Sequence, residues 1–494
     1  MMLLMMLLLD GGRPQRRLML PTNGIDTRGH FRSKIARPSR ECLRCNTLGH
    51  NVVMNPSVGM LTDRYELTML AAALRDGTAQ QPCVFEVFAR RLPEGRRYGV
   101  VAGTARVLDT ILSFGMDVEE LQWLRDTRVL DEATAAFVRD YRFSGSVDGY
   151  PEGELFFDSS PILTVRATFA EAVLLETVVL SILNHDAAVA AAAARMVSAA
   201  RERPIIEMGS RRTHEHAAMA AARAAYLAGF ASTSNLAAGR AFAIPTAGTM
   251  AHAFILLHGD EEAAFRSQVS SFGAATTLLV DTYDITRGIE RAVAAAGPQL
   301  AAIRIDSGDL GVLALQARLQ LDALGNHNTK IVVSGDLDEY AIAGLAAAPV
   351  DVYGAGTAVV TGSGAPTAGL IYKLVEANGR PVAKRSENKI TNGGAKIAFR
   401  AHRSSGTATD EILVTGSAES RARDIARLQR DYPDLRAMQQ PLIRNGALTA
   451  AGAVTLDSSR SHLRDALRTL PWEGLSLSRG DAAIPTQLVT AAPG

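Results

Sequence analysis

From Ile205 to Thr357 one pattern recurs six times, and it limits the fold more than any other feature of the chain. A short apolar run ends in glycine or polar residues, and a helix-spaced segment follows. Ile205-Ile206 leads into Glu207–Arg212, Phe242–Ile244 into Pro245–His252, and Thr277–Val280 into Asp281–Asp284. Ala301–Ile305 leads into Asp306–Asp309, Lys330–Val333 into Ser334–Asp336, and Val350–Tyr353 into Gly354–Thr357. Strands alternating with helices make parallel βα units. Six in succession predict a β/α barrel, in which the loops at the carboxyl ends of the strands carry the working groups. An open doubly wound sheet is the alternative. It is weakened because no G-x-G-x-x-G follows the first strand.

The texture differs before this repeat. Residues 61–165 mix helices near Glu66–Ala73 and Gly103–Phe114 with short strand-like runs at Cys83–Phe88, Gly99–Ala102, Glu154–Phe157 and Ile162–Val165. Phe169–Arg201 is Ala-rich with helical spacing and reads as one buried helix or two.

Residues 1–59 stand apart. They hold nine Lys/Arg against three Asp/Glu, so this segment is +6 in a chain whose net charge is +1. Composition supports no packed element there, and the expectation is a disordered extension. Met1–Leu9 is apolar but lacks the basic start and small-residue cleavage site of a signal peptide. Cys42, Cys45 and His50 have the spacing of three zinc-knuckle ligands, with Asn55 where a fourth would fall. Three ligands do not close a structural zinc site, so no metal residue is assigned.

Charge near zero overall gives no pull toward nucleic acid or anionic membrane, and neither is expected as a partner. Three cysteines fit a reducing, cytoplasmic setting rather than a disulfide framework. No uninterrupted apolar run reaches the ~20 residues of a membrane helix.

The strand-end segments hold the chemistry. Ser334-Gly335-Asp336 and Gly354-x-Gly356-Thr357 close two successive strands, and glycines there let backbone N–H groups approach a phosphate. Read blandly, each is a tight turn. Arg304 and Asp306, two apart on a strand, can share one face beside Ser307, Gly308 and Asp309. The guanidinium suits a phosphate or carboxylate, and the carboxylates suit a ribose diol or Mg2+-bound water. Glu207–Arg212 (EMGSRR) puts two arginines past a strand, one able to pair with Glu207 and the other free for an anion. Gly248-Thr249-x-Ala251-His252 sets a histidine one helical turn after a glycine-threonine turn at a strand end, able to act as acid, base, nucleophile or metal ligand. His214, His216 and His258 read as ordinary core or surface residues.

Together these segments resemble the nicotinate phosphoribosyltransferases, which are type II phosphoribosyltransferases. The resemblance runs from Leu61–Met69 (LTDRYELTM) through Phe88–Pro93 (FARRLP), Glu176-Thr177, Asn184 and EMGSRR. It continues through Thr233–Asn235, Gly248–His252 (GTMAH), Arg304–Asp309 (RIDSGD), Gly354–Thr357 (GAGT) and Pro441–Arg444 (PLIR). Nothing before residue 54 takes part in it.

The resemblance implies an α/β fold, an irregular β/α barrel with a second, β-rich α+β domain. Residues 60–165 would begin that second domain, 166–384 would form the barrel, and 385–494 would complete the second domain. It implies that nicotinate and phosphoribosyl pyrophosphate give nicotinate mononucleotide and pyrophosphate, with Mg2+ as cofactor and ATP as co-substrate hydrolysed through a phosphohistidine at His252. It implies a homodimer with the site at the interface, where Tyr65 stacks on the pyridine of the partner's site. Met208, Arg211, Arg212, Asn235, Thr249, Arg304 and Asp306 would meet substrate, and Ser307, Gly308, Gly335, Asp336, Gly354, Gly356 and Thr357 would meet phosphate. Nicotinamide-specific relatives carry aspartate where Asn235 stands, and a carboxylate there would repel nicotinate. The neutral Asn235 favours nicotinate over nicotinamide. Met208 stands where relatives often carry an aromatic ring. Nicotinamide or quinolinate phosphoribosyl transfer, a catalytically silent nucleotide-binding barrel, and a nucleic-acid-binding N-terminal segment are the competing readings.

Overall fold

The computed structural model describes residues 56–384 and 392–490. The Cys42/Cys45/His50 pattern and the apolar start lie outside the described residues. Residues 56–59, expected to belong to the extension, are ordered. Val58–Leu61 is a turn of 3-10 helix, and the Gly59 N–H donates to the Gly115 carbonyl at 2.9 Å. A Cβ on Gly59 would sit 2.5 Å from that oxygen, so only glycine allows the approach.

Six parallel strands form one sheet: β1 (Ile205–Glu207), β2 (Ser232–Thr233), β3 (Thr277–Leu279), β4 (Ala302–Ile305), β5 (Lys330–Ser334) and β6 (Val352–Ala355). Their order is β2-β1-β6-β5-β4-β3. This is the cyclic order of a barrel, closed by the β6–β1 pair and open along one seam. Thr246, bridged to Thr233, lies on one side of that seam and β3 on the other. The expected strand at Phe242–Ile244 is absent. Asn235 caps a helix that runs Leu236–Phe242, its Oδ1 accepting from Ala238 N–H at 2.8 Å, and Ala243 ends it in the left-handed region. A three-residue apolar run cannot reveal by periodicity whether it is strand or helix end. The second strand position falls instead to Ser232–Thr233.

Apolar strand faces, among them Leu278, Ile303, Ile331 and Val333, pack with alanine-rich helices in one core. Alanines at Ala190–Ala194 and Ala220–Ala225 let the Glu176–Ala200 and Glu215–Leu227 helices approach closely. Glu176–Ala200 has the length and apolarity of a membrane span, but two-thirds of it is buried in this fold. Its first half joins the β-rich core through Val178, Val179 and Leu183, and its second half joins the barrel core through Val189 and Met196.

The β-rich part holds a seven-stranded sheet. Pro82–Ala89 lies between Leu163–Thr168 and Leu370–Ala377, antiparallel to both, and Gln440–Arg444 joins beyond Ser146–Gly149. The expected barrel limits of 166 and 384 are therefore too wide, because 163–168 and 370–377 are strands of this other sheet. The C-terminal part is also divided. Helix Leu456–Arg468 sits on the barrel, where the Arg460 guanidinium donates to the Gly229 and Phe230 carbonyls at 3.0 and 2.7 Å.

Candidate active site

A cavity of about 270 Å³ opens at the carboxyl ends of four adjacent strands, β1, β6, β5 and β4. Met208, Arg211, Arg212, Arg304, Asp306, Gly335, Asp336, Gly354, Gly356 and Thr357 line it, all read from sequence, together with Ser334. Gly354 lets three strand ends meet. A Cβ there would fall 2.9 Å from the Met208 sulfur and 3.0 Å from Ser334 Cβ. Gly335 turns the β5 loop at φ +137°, which side-chain-bearing residues rarely adopt.

Three strand-end loops each carry two acids with divided duties. Asp284, Asp309 and Asp338 cap the helices that follow, their carboxylates accepting from Arg287, Val312 and Ala341 N–H groups. Asp281, Asp306 and Asp336 stay with the strand ends.

Arg304 organises this floor. Its Nε donates to Ser334 Oγ at 2.7 Å, Nη1 to Thr249 Oγ1 at 3.0 Å and Nη2 to Asp306 Oδ1 at 2.7 Å. Burial alone would raise the Asp306 carboxyl, but the Ser334 hydroxyl, the Arg304 guanidinium and nearby His252 outweigh it and hold it below the usual range. Asp281, its side chain buried, accepts from the Asp306 N–H at 2.9 Å and the Ser307 hydroxyl at 2.7 Å through Oδ2, while its Oδ1 has no hydrogen-bond partner among the described residues. His252 Nε2 lies 4.0 Å from Asp281 Oδ1 and 4.0 Å from Asp306 Oδ2, and its Nδ1 is 3.0 Å from the Thr282 hydroxyl.

Arg211 and Arg212 line the cavity with no carboxylate partner among the described residues. The expected pairing with Glu207 does not occur. Glu207 is buried and accepts from the Gly209 N–H and the Thr233 hydroxyl, and burial raises its carboxyl pKa above the usual range despite these bonds. Both arginines are thus free for an anion.

Five other expected contacts lie off the cavity lining. Asn235 spends its amide on the helix cap and on the Ser210 hydroxyl, to which Nδ2 donates at 3.0 Å. Thr249 meets the cavity only through Arg304. Ser307 and Gly308 form the turn behind Asp306, the serine bonded to Asp281. Tyr65 is 44% exposed on helix Arg64–Asp76, beside Glu176 and Thr177, and does not line the cavity of its own chain. Burial, with Glu176 and Glu66 nearby, pushes its hydroxyl up to about 12. Asp281, Thr282 and Ser334 were not singled out from sequence as site residues. Asp281 had the signal that marked Asp306, an acid just past a strand.

Two family models match the chain: the nicotinate phosphoribosyltransferase N-terminal domain over residues 60–184, and the quinolinate phosphoribosyl transferase C-terminal domain over residues 189–363. The chain is 56% identical to a nicotinate phosphoribosyltransferase of Mycobacterium tuberculosis strain H37Rv, covering 88% of this chain and 96% of the relative. It is 38% identical to the Bacillus subtilis nicotinate phosphoribosyltransferase, covering 70% and 73%. The crystal structure of human nicotinic acid phosphoribosyltransferase matches with a TM-score of 0.73 at 25% identity, over 87% of this chain and 97% of that one.

Proposed function

This chain belongs to the nicotinate phosphoribosyltransferases, and from that premise we propose that it joins nicotinate to phosphoribosyl pyrophosphate with ATP hydrolysis coupled through His252. The observation that carries the reading is the cavity itself. Two unpaired arginines and two glycine-bearing loops face an arginine–aspartate floor at the strand ends, a lining made for an anionic, phosphorylated ligand.

The pyridine nitrogen attacks the anomeric carbon, that bond forms as the bond to pyrophosphate breaks, and charge builds toward an oxocarbenium ion. The protein's part is to hold the ring in line and stabilise the leaving pyrophosphate. Gly335, Gly354, Gly356 and Thr357 cradle the sugar phosphate, and Arg211 and Arg212 take the anionic groups. Ser307 and Gly308 keep their expected phosphate role only through the backbone turn that carries Asp306. Asp306 and Asp336 are two cavity carboxylates, and Mg2+ is commonly held by one or two carboxylates plus phosphate oxygens, so the residues fit that ion. It would neutralise charge on the pyrophosphate.

With Nδ1 at the Thr282 hydroxyl, Nε2 is the nitrogen left to attack the γ-phosphorus of ATP, the N–P bond forming as the bond to ADP breaks, and water later cleaves the N–P bond to release phosphate. The added charge and acceptor oxygens then reorder groups beside the cavity. Tyr65, exposed and off its own cavity, suits a role on the pyridine of a second subunit in a homodimer. NAD salvage in the cytoplasm is the setting this reading implies.

The test is mononucleotide formation from nicotinate and from nicotinamide, each with and without ATP. Product from nicotinate alone, raised by ATP, is expected. His252→Ala should lose coupled ATP hydrolysis yet keep slow ATP-independent transfer. A variant still hydrolysing ATP at the wild-type rate removes His252 from that role.

A further inference from the structure

Outside the cavity lining lies a buried charge cluster that the proposed reaction does not use. Glu339 is fully buried. Its Oε1 accepts from Arg195 Nε at 2.9 Å and stands 3.4 Å from Arg96 Nη1, while its Oε2 accepts from the Ser363 hydroxyl. Arg96 and Arg195 are themselves 5% and 4% exposed at the side chain. Arg96 Nη2 also donates to the Gly362 and Ser363 carbonyls, at 2.6 and 2.9 Å. Arg195 Nη2 donates to the Leu477 carbonyl at 3.1 Å.

The location matters more than the pairing. Glu339 opens the helix Glu339–Gly344, three residues after Asp336 of the β5 loop. Gly362 and Ser363 follow the short helix Thr357–Val360, which begins at the β6 loop. One carboxylate therefore binds the two loops that supply Gly335, Asp336, Gly356 and Thr357 to the cavity. Arg96 arrives from the segment before the Gly99–Val100 strand, and Arg195 from the long helix shared by both cores.

We propose that Glu339, with Arg96 and Arg195, is a positioning device that fixes the spacing of the two phosphate-binding loops. This rests on the reading that those loops hold the phosphoribosyl phosphate. Packing alone would be cheaper, since a buried ion cluster is often matched in stability by apolar residues of like volume. What apolar side chains cannot do is accept the Ser363 hydroxyl and orient a guanidinium onto two loop carbonyls. Two arginines facing one carboxylate leave the cluster net positive. Loss of the Glu339 charge would set the guanidiniums against each other and release both loops.

The experiment is steady-state kinetics of Glu339→Gln and Ser363→Ala with both substrates varied, beside thermal melting. Glu339→Gln should raise the KM for phosphoribosyl pyrophosphate roughly tenfold, with kcat and the KM for nicotinate within about twofold. Ser363→Ala, which keeps the ion pairs and loses one hydrogen bond, should raise the same KM about threefold. If Glu339→Gln does not fold, Ser363→Ala decides by the same readout. A KM for phosphoribosyl pyrophosphate that is unchanged, or that moves only in step with the KM for nicotinate, overturns the proposal. Wild-type enzyme that does not use phosphoribosyl pyrophosphate overturns the underlying reading instead.

Discussion

Two clusters in this molecule use the same parts, an arginine bonded to carboxylate, and differ in whether their bonding is complete. Arg400 lies between Glu154 and Glu411, with all three side chains at 0–1% exposure. Its Nε, Nη1 and Nη2 donate to Glu411, Glu154 and the Leu155 carbonyl at 2.9, 2.7 and 2.8 Å. Tyr150 and Ser160 donate to Glu411, while Arg436 and His462 stand 2.9 Å from Glu154. Around Arg304 the count is left open. Asp281 Oδ1 has no partner, His252 Nε2 stands 4.0 Å from two carboxylates, and Arg211 and Arg212 are unpaired among the described residues. Charge by itself marks neither cluster as functional. Unmet bonding capacity at an accessible strand end does.

The largest effect that would test this contrast is on stability. Arg400→Gln strands two buried carboxylates and should cost about 3–5 kcal/mol in urea unfolding. The folded fraction should keep its KM for both substrates. A selective rise in either KM would break the distinction.

Acid sharpens the same point. Burial alone would raise the Glu154 carboxyl, but His462, Arg400 and Arg436 outweigh it and bring it to about 2. A carboxyl lower in the folded than in the unfolded chain adds stability above the unfolded value of 4.5. That stability, on the order of 3 kcal/mol, drains away as pH falls from 4.5 toward 2. Acid unfolding followed by circular dichroism should therefore begin near the top of this window. In Arg400→Gln the midpoint should move to higher pH, and an unmoved midpoint would detach Glu154 from the cluster's stability.

Arg304→Lys tests the open cluster. Lysine keeps the charge but cannot reach Ser334, Thr249 and Asp306 at once. Its kcat/KM should fall about 10- to 100-fold while unfolding moves by less than about 1 kcal/mol. A large stability loss with normal turnover would make Arg304 a second Arg400.

The two clusters were unequally legible in sequence. Arg304 lies on β4 and Asp306 just past its end, two residues apart, and the barrel repeat put them at a strand end. Glu154, Arg400, Glu411, Arg436 and His462 come from distant strands, loops and the helix Leu456–Arg468, brought together only in the fold, and no local pattern links them. Short-range rules failed where tertiary contacts decide. Glu207 found Thr233 rather than the neighbouring arginines, since strand β2 lies beside it in the sheet. Leu370–Ala377 reads as a continuation of the barrel, yet Pro82–Ala89 claims it by antiparallel pairing. The acids past the strands were visible. Which of them cap helices and which face the cavity depended on where each helix starts.

The smallest effect asks whether a residue outside both clusters can still set substrate choice. Asn235 touches neither Arg304 nor the cavity wall, and it reaches Arg211 only through Ser210. Asn235→Asp keeps a good helix cap, since aspartate caps as well as asparagine. Stability should therefore move by only a few tenths of a kcal/mol. The new carboxylate would replace a donor to Ser210 with a second acceptor and place negative charge near the unpaired arginines. Nicotinate, an anion, should bind more weakly, with KM rising about threefold to fivefold. Nicotinamide, being neutral, should not suffer this loss. Competition between the two substrates, measured at low and at high salt, separates the causes. An electrostatic penalty shrinks as salt rises, whereas a displaced Ser210 loop gives the same loss at both. A penalty shared equally by nicotinate and nicotinamide would make Asn235 a cap alone, and substrate choice would then rest with the arginines that line the cavity.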